Sequence, residues 1–412
     1  MTDVIVVGGG PAGLACAVEL RRRGVSDVVV LDREQRAGGI PRHCAHQGFG
    51  VRDLRRALSG PTYARRYVEL AERAGADIHA ETMVTGWSPD GSLEVTAPES
   101  RESLRASAIV LATGCRERPR PARLVPGSRP EGVLTTGLLQ QLAELRNPHI
   151  GTRAVIVGAE HVSFSALLTL VHAGVKVAGM ATELPRHQSL PGAAVGAALR
   201  YRVPLWTRTV LTEIRGLPRV DEVELRDLNT GRTRAVACDT VVFTADWIPD
   251  HELSVAAGLE LDPGTRGPQV DTALRTTQVG LFAAGNLLQG AEPADVAALT
   301  GRHAAAAVAR WLNERDPWPD RVPIVCRTPL LWISPNAVSS GEQPPRDRFS
   351  LRSSDFLGGG LEIEIRQHER LLWSGRLRRM VPGRSSSLPA SWLAEVDPHG
   401  SAIDVQLAAQ RH

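Results

Sequence analysis

The sequence contains no pair of cysteines placed to act as a redox couple or to hold a metal cluster. Its five cysteines are scattered along 412 residues, and no two of them form CxxC or CxC. This spacing excludes a redox-active dithiol, a four-cysteine iron–sulfur cluster and a four-cysteine zinc site. Scattered cysteines most often act as small buried hydrophobic residues, so we expect burial of Cys16, Cys44, Cys115, Cys238 and Cys326.

Lysine, clustered positive charge and long hydrophobic runs are also scarce. Lysine occurs once, at Lys176 in an apparent strand, which leaves Schiff-base chemistry a single candidate. The formal charge is only +3 and the arginines are dispersed, so we predict no nucleic-acid partner. No run of about 18 apolar residues occurs, and Met1 leads almost directly into a strand-like segment. We therefore expect a cytoplasmic protein without a signal peptide or a transmembrane segment.

The first clear motif is the segment VIVVGGGPAG at residues 4–13. Its β-branched run precedes Gly8, Gly10 and Gly13 in GxGxxG spacing, and an amphipathic pattern then continues to Gly24. These glycines permit a tight turn, close approach of a pyrophosphate and close packing of helix on strand. A second strand-like segment ends at Asp32, which is placed for a ribose hydroxyl. The segment is predicted to bind a dinucleotide at the N-terminus of the helix.

Two later segments favour FAD over NAD at this first site. AIVLATG at 108–114 and VGLFAAGN at 279–286 are strands that end in small residues, and a long helical pattern follows the second. Small residues let the chain pass close to a flavin. The residues expected to bind FAD are Gly8, Gly10, Pro11, Ala12, Gly13, Asp32, Arg33, Gly39, Arg42, Val84, Ala112, Thr113, Gly114, Gly285 and Asn286.

The loop after the second strand carries Gly38 and Gly39, which are expected near the flavin and its phosphates. It also contains His43, Cys44 and His46 beside Arg42. Three ligand-type residues within four positions fit one tetrahedral ion poorly unless a fourth comes from elsewhere. We therefore predict no metal site here, with Arg42 contacting phosphate or flavin.

A second copy of the turn lies at an offset of 150 residues, in AVIVGAEHVSFSAL at 154–167. Gly8 corresponds to Gly158, but Glu160 and Ser163 replace the second and third glycines. A carboxylate at this point opposes a pyrophosphate, because like charges about 4 Å apart repel by about 1 kcal/mol even in water. At a helix N-terminus the same carboxylate is favourable. The duplicated unit is therefore expected to keep its fold while losing ordinary NAD(P)H binding.

The expected fold class is α/β, with two Rossmann-like dinucleotide-binding domains and a small mainly β C-terminal module. The predicted boundaries are 1–119 and 251–318 for the FAD domain, 120–250 for the inserted NAD-like domain and 319–412 for the module. In the module, LEIEIRQHERLLWSGRL has the pattern of a hairpin and AIDVQL that of a strand. Its expected core includes Trp332, Trp373 and Trp392.

Over residues 1 to about 315 the sequence resembles the two-dinucleotide-domain flavoproteins, thioredoxin reductase and its relatives. In that superfamily the last motif normally ends in Gly-Asp, whose aspartate bonds a ribityl hydroxyl, whereas this chain has Asn286. The segments GGIPRHCAHQGFG, VGAEHVSFSA, FTADWIPDHEL and GLFAAGNLLQGAEPADVAAL are similar to the large subunit of multi-component amine and amino-acid dehydrogenases. That group contains hydrogen cyanide synthase, opine oxidase and D-hydroxyproline dehydrogenase.

The resemblance implies a complex. In that family a D-amino-acid-oxidase-like flavoprotein oxidises the C–N bond, a small [2Fe-2S] ferredoxin-like subunit joins, and the large subunit relays electrons through its FAD. Some relatives carry a cysteine-rich cluster domain, which these five cysteines cannot supply. No residue of this chain forms a persuasive catalytic site. Two other hypotheses remain: a free-standing NAD(P)H-dependent flavin oxidoreductase and a mainly structural scaffold subunit.

Overall fold

A computed structural model of the chain describes residues 2–146, 149–189, 191–314 and 317–408. The chain divides into two compact units. The first unit comprises Met1–Arg42, Gln47–Cys115 and Pro249–His412, and the second comprises His43–His46 and Arg116–Ile248. The C-terminal module falls within the first unit. Its treatment as a separate domain, with the other predicted boundaries, stays a proposal.

A five-stranded parallel sheet forms the centre of the first unit. Its strand order is Leu281–Ala283, Ala106–Leu111, Thr2–Val7, Val28–Leu31 and Asp77–His79. The strands pair in register so that Val7, Leu111 and Ala283 lie side by side at the carboxyl edge. Three helices accompany the sheet: α1 Pro11–Arg22, α2 Gly60–Ala74 and, later in the chain, Ala294–Glu314. The expected strand–turn–helix units are confirmed.

The remaining elements of the FAD-domain segments are short. A three-stranded antiparallel sheet contains Met83–Trp87, Leu93–Ala97 and Ser100–Leu104, and a small ribbon pairs Gln47–Phe49 with Leu58–Ser59. Short 3-10 turns occupy Ile40–His43 and Gly285–Leu287, and a one-turn helix covers Glu252–Ala256.

The second unit repeats the parallel arrangement. Its five-stranded sheet has the order Val133–Thr135, Thr240–Phe243, Arg153–Val157, Lys176–Ala181 and Leu205–Trp206. A three-stranded antiparallel sheet follows with Thr209–Arg215, Glu222–Asp227 and Thr233–Ala237. The helices are α3 Thr136–Gln141, which continues as a π turn Leu142–Arg146, α4 His161–His172 and α5 Pro191–Tyr201, with a 3-10 turn Arg120–Arg123. In chain order the two helices of the first unit after α5 are α6 Glu252–Ala256 and α7 Ala294–Glu314.

The sequence pattern DTVVFTADWIPD at 239–250 predicts one strand, but the structure divides this segment into two. Thr240–Phe243 belongs to the parallel sheet, whereas Trp247–Pro249 is a separate short strand that forms a two-stranded sheet with Cys115–Glu117. Between the two pieces Ala245 and Asp246 adopt left-handed conformations with φ 54°. A left-handed pair cannot continue a strand, and no glycine at these positions signals the break.

The C-terminal module is built from two sheets, as the mainly β expectation requires. One has the order Ala337–Val338, Val322–Cys326, Ile403–Leu407, Leu361–Gln367 and Arg370–Leu377, and the other has the order Leu330–Ser334, Arg348–Ser353 and Ser386–Pro389. Short 3-10 turns cover Pro345–Asp347 and Ser391–Glu395. The predicted hairpin is confirmed by the antiparallel register from Leu361 to Leu377.

The tryptophans of the module differ in their roles. Trp392 is buried and stacks on Phe349 with ring centroids 5.0 Å apart, so it belongs to the module's apolar core. Trp373 is partly buried against the same core. Trp332 is buried as well, but its ring lies 4.7 Å from the Arg352 guanidinium. Trp332 and Trp392 are thus buried and Trp373 is partly buried, and the face of Trp332 also contacts a cation.

The cysteines are free thiols, but not all are buried. Cys16, Cys44 and Cys238 are buried, whereas Cys115 and Cys326 are half-buried, so the expectation for those two was wrong. Burial raises the pKa of Cys44 and of Cys238 to about 12, which keeps both thiols protonated at neutral pH. No helix in the described part of the chain is long and apolar enough to cross a membrane.

Candidate functional site

The first glycine turn is closed on two sides by backbone. Gly8 has φ +110°, and a Cβ there would lie 2.4 Å from Ala112 O. A Cβ at Gly13 would lie 1.9 Å from Gly8 O. Real Cβ atoms do not approach oxygen so closely, so both positions require glycine. The turn is thereby fixed between the central strand Thr2–Val7 and α1.

The third side of the turn, at Gly10, is open. Gly10 is the N-cap of α1 and no side chain caps the first N–H groups of the helix. A Cβ at Gly10 would have only Gly39 Cα within 4 Å, at 3.9 Å. Free N–H groups at a helix N-terminus attract an anion. The space above Gly10, next to Pro11 and Ala12, therefore fits the pyrophosphate of a dinucleotide.

Asp32 lies at the carboxyl end of strand Val28–Leu31 and is buried. Its Oδ2 accepts the Gly9 N–H at 2.9 Å and its Oδ1 accepts the Glu34 N–H at 2.8 Å. Burial raises the pKa of this carboxyl group, and the two N–H donors oppose the shift. Asp32 thus stands beside the turn, as the ribose prediction requires. The neighbouring Arg33 is mostly exposed, 3.6 Å from Asp250.

Arg42 carries the clearest unused donor of the site. Its Nη2 lies 3.3 Å from Glu34 Oε2, while its Nε is buried without a hydrogen-bond partner among the described residues. Its aliphatic part packs close to Gly38. A buried guanidinium donor is stabilised when an anionic oxygen accepts from it. The Arg42 Nε therefore fits a phosphate or a flavin oxygen, and its predicted contact with FAD stays a proposal.

The other predicted segments converge on the same edge of the sheet. Ala112 N–H donates to Val7 O at 2.8 Å, and Thr113 Oγ1 donates to Asp250 O at 2.7 Å. Gly114 O accepts the Asp250 N–H at 2.9 Å. A Cβ at Gly114 would have no atom within 4 Å, so space for a ligand remains at this position.

Gly285 and Val84 complete the set. A Cβ at Gly285 would lie 2.7 Å from Ala12 Cβ, and the Gly285 N–H donates to Thr300 Oγ1 at 2.8 Å. Gly285 is therefore pressed against the start of α1. Val84 is buried in strand Met83–Trp87, two residues after Thr82, whose N–H donates to Asp32 O at 2.8 Å. Its predicted contact with FAD stays a proposal.

Asn286 is engaged within its own loop. Its Nδ2 donates to Glu292 O at 3.1 Å, and its Oδ1 accepts the Glu292 N–H at 3.1 Å. The side-chain amide thus closes the loop 286–292 with both of its ends. Its predicted contact with the flavin stays a proposal, and sequence reasoning missed Glu292 because no motif marks it.

In the second turn the side chain of Glu160 fills the position that is open at Gly10. Glu160 is the N-cap of α4, and its N–H donates to Ser163 Oγ at 3.0 Å. Ser163 Oγ in turn donates to Glu160 Oε2 at 2.8 Å. A Cβ at Gly158 would lie 2.8 Å from Glu160 Oε2 and 1.9 Å from Thr244 Oγ1. The carboxylate therefore lies directly over the turn.

Neighbouring groups hold the Glu160 carboxylate in place. Thr244 Oγ1 lies 3.1 Å from Glu160 Oε2 and 2.6 Å from Ser163 Oγ. Burial raises the pKa of Glu160, while these hydroxyl groups and the charge of Arg123 oppose the shift. Arg123 itself donates to Thr244 O at 2.9 Å and to Ala245 O at 2.8 Å. The position that a pyrophosphate would take at the second turn is thus occupied by this hydrogen-bonded group of side chains.

The loop after strand Lys176–Ala181 closes the second turn further. Gln188 N–H donates to Ala159 O at 2.9 Å, and Ser189 Oγ lies 2.8 Å from His161 Nδ1. Thr182, at the position equivalent to Asp32, is buried and accepts the Leu184 N–H at 3.3 Å. Position 182 therefore has no carboxylate that could bind a ribose hydroxyl.

The loop 42–46 raised the question of a metal site. Among the described residues no group of three His, Cys, Asp or Glu side chains could hold a metal ion. Within this loop, Cys44 Sγ lies 3.3 Å from Gln140 Oε1. That hydrogen bond belongs to the packing of the second unit.

Comparisons with known proteins agree with the two-turn architecture. The model of the family described as "Pyridine nucleotide-disulphide oxidoreductase" matches residues 2–301. An opine oxidase subunit from Rhizobium meliloti is 28% identical over 338 residues, which cover 74% of this chain and 62% of that protein. This chain therefore spans less than two thirds of that relative's length.

Two further similarities concern one enzyme component and one solved fold. Hydrogen cyanide synthase subunit HcnB from Pseudomonas aeruginosa is 28% identical over 334 residues, covering 74% of this chain and 70% of that protein. The crystal structure of T. acidophilum thioredoxin reductase superposes with a TM-score of 0.62 and 23% identity, covering 76% of this chain and 99% of that one. At this identity the structure supports the fold alone.

Proposed function

The chain belongs to the pyridine nucleotide-disulphide oxidoreductase family, and from this premise we propose that it is the FAD-containing subunit of a heteromeric amine or amino-acid dehydrogenase. FAD is its cofactor, and it is an oxidoreductase. In the proposed complex a D-amino-acid-oxidase-like flavoprotein oxidises the substrate. This chain relays the electrons to an acceptor, and a small [2Fe-2S] ferredoxin-like protein is a further partner.

The observation that carries the proposal is the carboxylate of Glu160 over the second turn. A nicotinamide dinucleotide would have to place its pyrophosphate where Glu160 Oε2 is held by Ser163 and Thr244. Opposed anions in such a cleft repel by more than the roughly 1 kcal/mol found in water at about 4 Å. Direct reduction by NAD(P)H is therefore disfavoured, and the electrons have to come from another donor.

The named relatives supply the class of that donor. The opine oxidase and hydrogen cyanide synthase relatives are both named as subunits of enzymes. The five cysteines of this chain form neither CxxC nor CxC. A chain with a flavin site, a closed second turn and no adjacent cysteine pair suits transfer between protein partners better than disulphide reduction.

The residues of the first unit have defined tasks in this proposal. Bound FAD supplies reversible acceptance and release of electrons. The α1 N-terminus at Gly10 would hold the pyrophosphate, Asp32 would accept a hydrogen bond from a ribose hydroxyl, and Arg42 Nε would donate to an anionic oxygen. The small residues at 112–114 and Gly285 keep the sheet edge open for the flavin.

Anaerobic mixing with excess NADH or NADPH tests the proposal. We expect the flavin absorbance of the purified chain to persist, while dithionite bleaches it completely and so proves that the flavin is reducible. Gly10→Glu, which places in the first turn the residue type of the second, is expected to purify without FAD. Fast bleaching by either nucleotide contradicts the proposal, as does full FAD retention by the Gly10→Glu variant.

Co-expression with neighbouring reading frames identifies the partners. We expect a second flavoprotein and a small iron–sulfur protein to co-purify, as shown by mass and cofactor analysis. The lone chain is expected to hold FAD and scarcely oxidise amino acids. Rapid amine oxidation by the lone chain would refute the relay.

A free-standing flavin oxidoreductase is the second candidate. It is favoured by the match of the pyridine nucleotide-disulphide oxidoreductase model over residues 2–301. It requires a nicotinamide nucleotide to displace the Glu160 network. The same anaerobic experiment distinguishes the two functions.

A further inference from the structure

The loop 286–292 is tied to the C-terminal module, although it follows directly from the flavin segment at Gly285. Arg352, in strand Arg348–Ser353 of the module, donates from Nη1 to Gly290 O at 2.9 Å. Its Nη2 lies 3.3 Å from Glu292 Oε1 and 3.2 Å from Ser385 Oγ. Ser385 Oγ also donates to Glu292 Oε1. Two residues of the module, Arg352 and Ser385, thus hydrogen-bond the Glu292 side chain of the loop.

These contacts between the module and the loop are buried. The side chains of Arg352 and Glu292 are only 9% and 10% exposed, and the guanidinium lies 4.7 Å from the ring centroid of Trp332. Next to it, Ser334 Oγ donates to Gln289 Oε1 at 2.7 Å, again from the module to the loop. Loss of one partner in a buried, charged hydrogen bond is costly, because water cannot replace the lost partner. The geometry of the loop therefore depends on the module.

The same loop fixes Asn286 through the backbone of Glu292. The amide of Asn286 donates to Glu292 O and accepts from Glu292 N–H. A carboxylate at position 286 has no hydrogen to donate and would face Glu292 O with a negative charge. This explains in physical terms why asparagine suits position 286, where the resembling superfamily normally has the aspartate of Gly-Asp.

We propose that the C-terminal module shapes the flavin site from outside: Arg352 and Ser385 position Glu292, and Glu292 positions Asn286 and the loop that follows Gly285. Arg352 is thus a positioning residue that acts on the cofactor without touching it. The inference rests on the FAD site and not on the proposed electron relay. Fast reduction by NADPH would overturn the relay and leave this inference standing.

A double-mutant cycle on the full chain tests the coupling. The variants are Arg352→Met, Asn286→Ala and the double variant, and the readouts are the FAD dissociation constant and the visible circular dichroism of bound FAD. Each single change is expected to weaken FAD binding by about tenfold, from the loss of hydrogen bonds to charged or buried groups. The double variant is expected to be little weaker than the worse single one, because both act through the same loop.

Matched controls separate positioning from general loss of stability. Arg327→Met removes the exposed Arg327–Asp404 pair of the same module, and Ser387→Ala removes an exposed hydroxyl two residues from Ser385. Both should leave FAD affinity unchanged. Ser385→Ala is the milder probe if Arg352→Met fails to fold, and it should weaken FAD several-fold.

Asn286→Asp gives the sharpest discrimination. If the amide serves to close the loop, this change should weaken FAD and alter its circular dichroism, since the Glu292 O bond is lost. Equal or tighter FAD binding by Asn286→Asp overturns the inference. Additive losses in the cycle, or unchanged FAD affinity in both Arg352→Met and Ser385→Ala, overturn it equally.

Discussion

Gly10 and Glu160 occupy equivalent places in two copies of one turn, and their surroundings differ. Above Gly10 the first neighbour of a Cβ would be 3.9 Å away, whereas Glu160 Oε2 is in contact with Ser163 and Thr244. The first turn is open to the anion of a ligand, whereas the second turn is occupied by the carboxylate of Glu160. At the scale of single residues, this difference separates a cofactor site from a retained fold.

Glu160 gives the second unit a specific pH dependence. Burial raises its pKa in the folded state above the ordinary value of 4.5. The folded state therefore binds this proton more tightly than the unfolded state does. The stabilisation contributed by protonated Glu160 is fully present below its unfolded pKa and is lost as the pH rises through its folded pKa. Glu160→Gln keeps the shape and a hydrogen-bond acceptor without the charge, and should raise the unfolding free energy at pH 8 by on the order of 1 kcal/mol.

Denaturant unfolding at pH 5 and pH 8, followed by circular dichroism, measures this effect. The gain from Glu160→Gln should be larger at pH 8 than at pH 5. Glu131→Gln, at an exposed position of the same unit, is the control and should show no such difference. An equal change at both pH values would mean that the Glu160 charge does not limit stability.

At the scale of elements, α7 is packed against the start of α1. A Cβ at Gly301 in α7 would lie 1.9 Å from Ala12 O and 2.8 Å from Ala12 C, both of which are backbone atoms. Ala12 lies in the first turn of α1, next to the pyrophosphate position. The spacing of the two helices therefore affects both folding and the cofactor site.

Gly301→Ala is expected to force α7 away from α1. The cost should be about 2 kcal/mol or more, as in other overpacked contacts, and FAD should be released at a lower temperature. Gly196→Ala in α5 is the matched control, because a Cβ there has nothing within 4 Å. It should be neutral or stabilise by about 0.4–1 kcal/mol. Thermal unfolding with flavin fluorescence decides, and equal melting temperatures for the two variants would contradict the packing argument.

At the scale of the whole molecule, the module is integrated into the first unit. Ser339 Oγ donates to buried Asp271 at 2.6 Å, and Asn336 Oδ1 accepts the Val270 N–H at 2.7 Å. Glu342 accepts from Arg275 at 3.2 Å and from Arg310 at 2.6 Å. The fold of T. acidophilum thioredoxin reductase matches 76% of this chain and 99% of that one. The contacts of the module are therefore additional to the part of the fold that the two proteins share.

Removal of residues 319–412 should therefore weaken what remains. We expect the truncated protein to melt roughly 10 °C lower, since several buried hydrogen bonds are lost, and to retain less FAD. The ratio of flavin to protein after gel filtration and a thermal melt measure both effects. A truncated protein with the melting temperature and FAD content of the full chain would show that the module is an independent appendage.

Local sequence was sufficient for the glycine turns, their flanking strands and helices, and the hairpin at 361–377. These features depend on residues close together in the chain: a positive φ, an apolar period or an N-cap is encoded within about ten positions. The same locality made the role of Glu160 predictable as an anion at a helix N-terminus. The sequence by itself thus determined that this is a flavoprotein fold with a closed second turn.

Tertiary structure decided the contacts between distant residues. Thr244 meets Ser163 across 81 positions and Arg352 meets Glu292 across 60, and no periodicity or motif connects either pair. The break at Ala245 and Asp246 likewise lacks a glycine to announce it. Only the folded chain could show that Asn286 closes a loop held by the C-terminal module, because a hydrogen bond depends on where atoms lie in space and not on their order in the sequence.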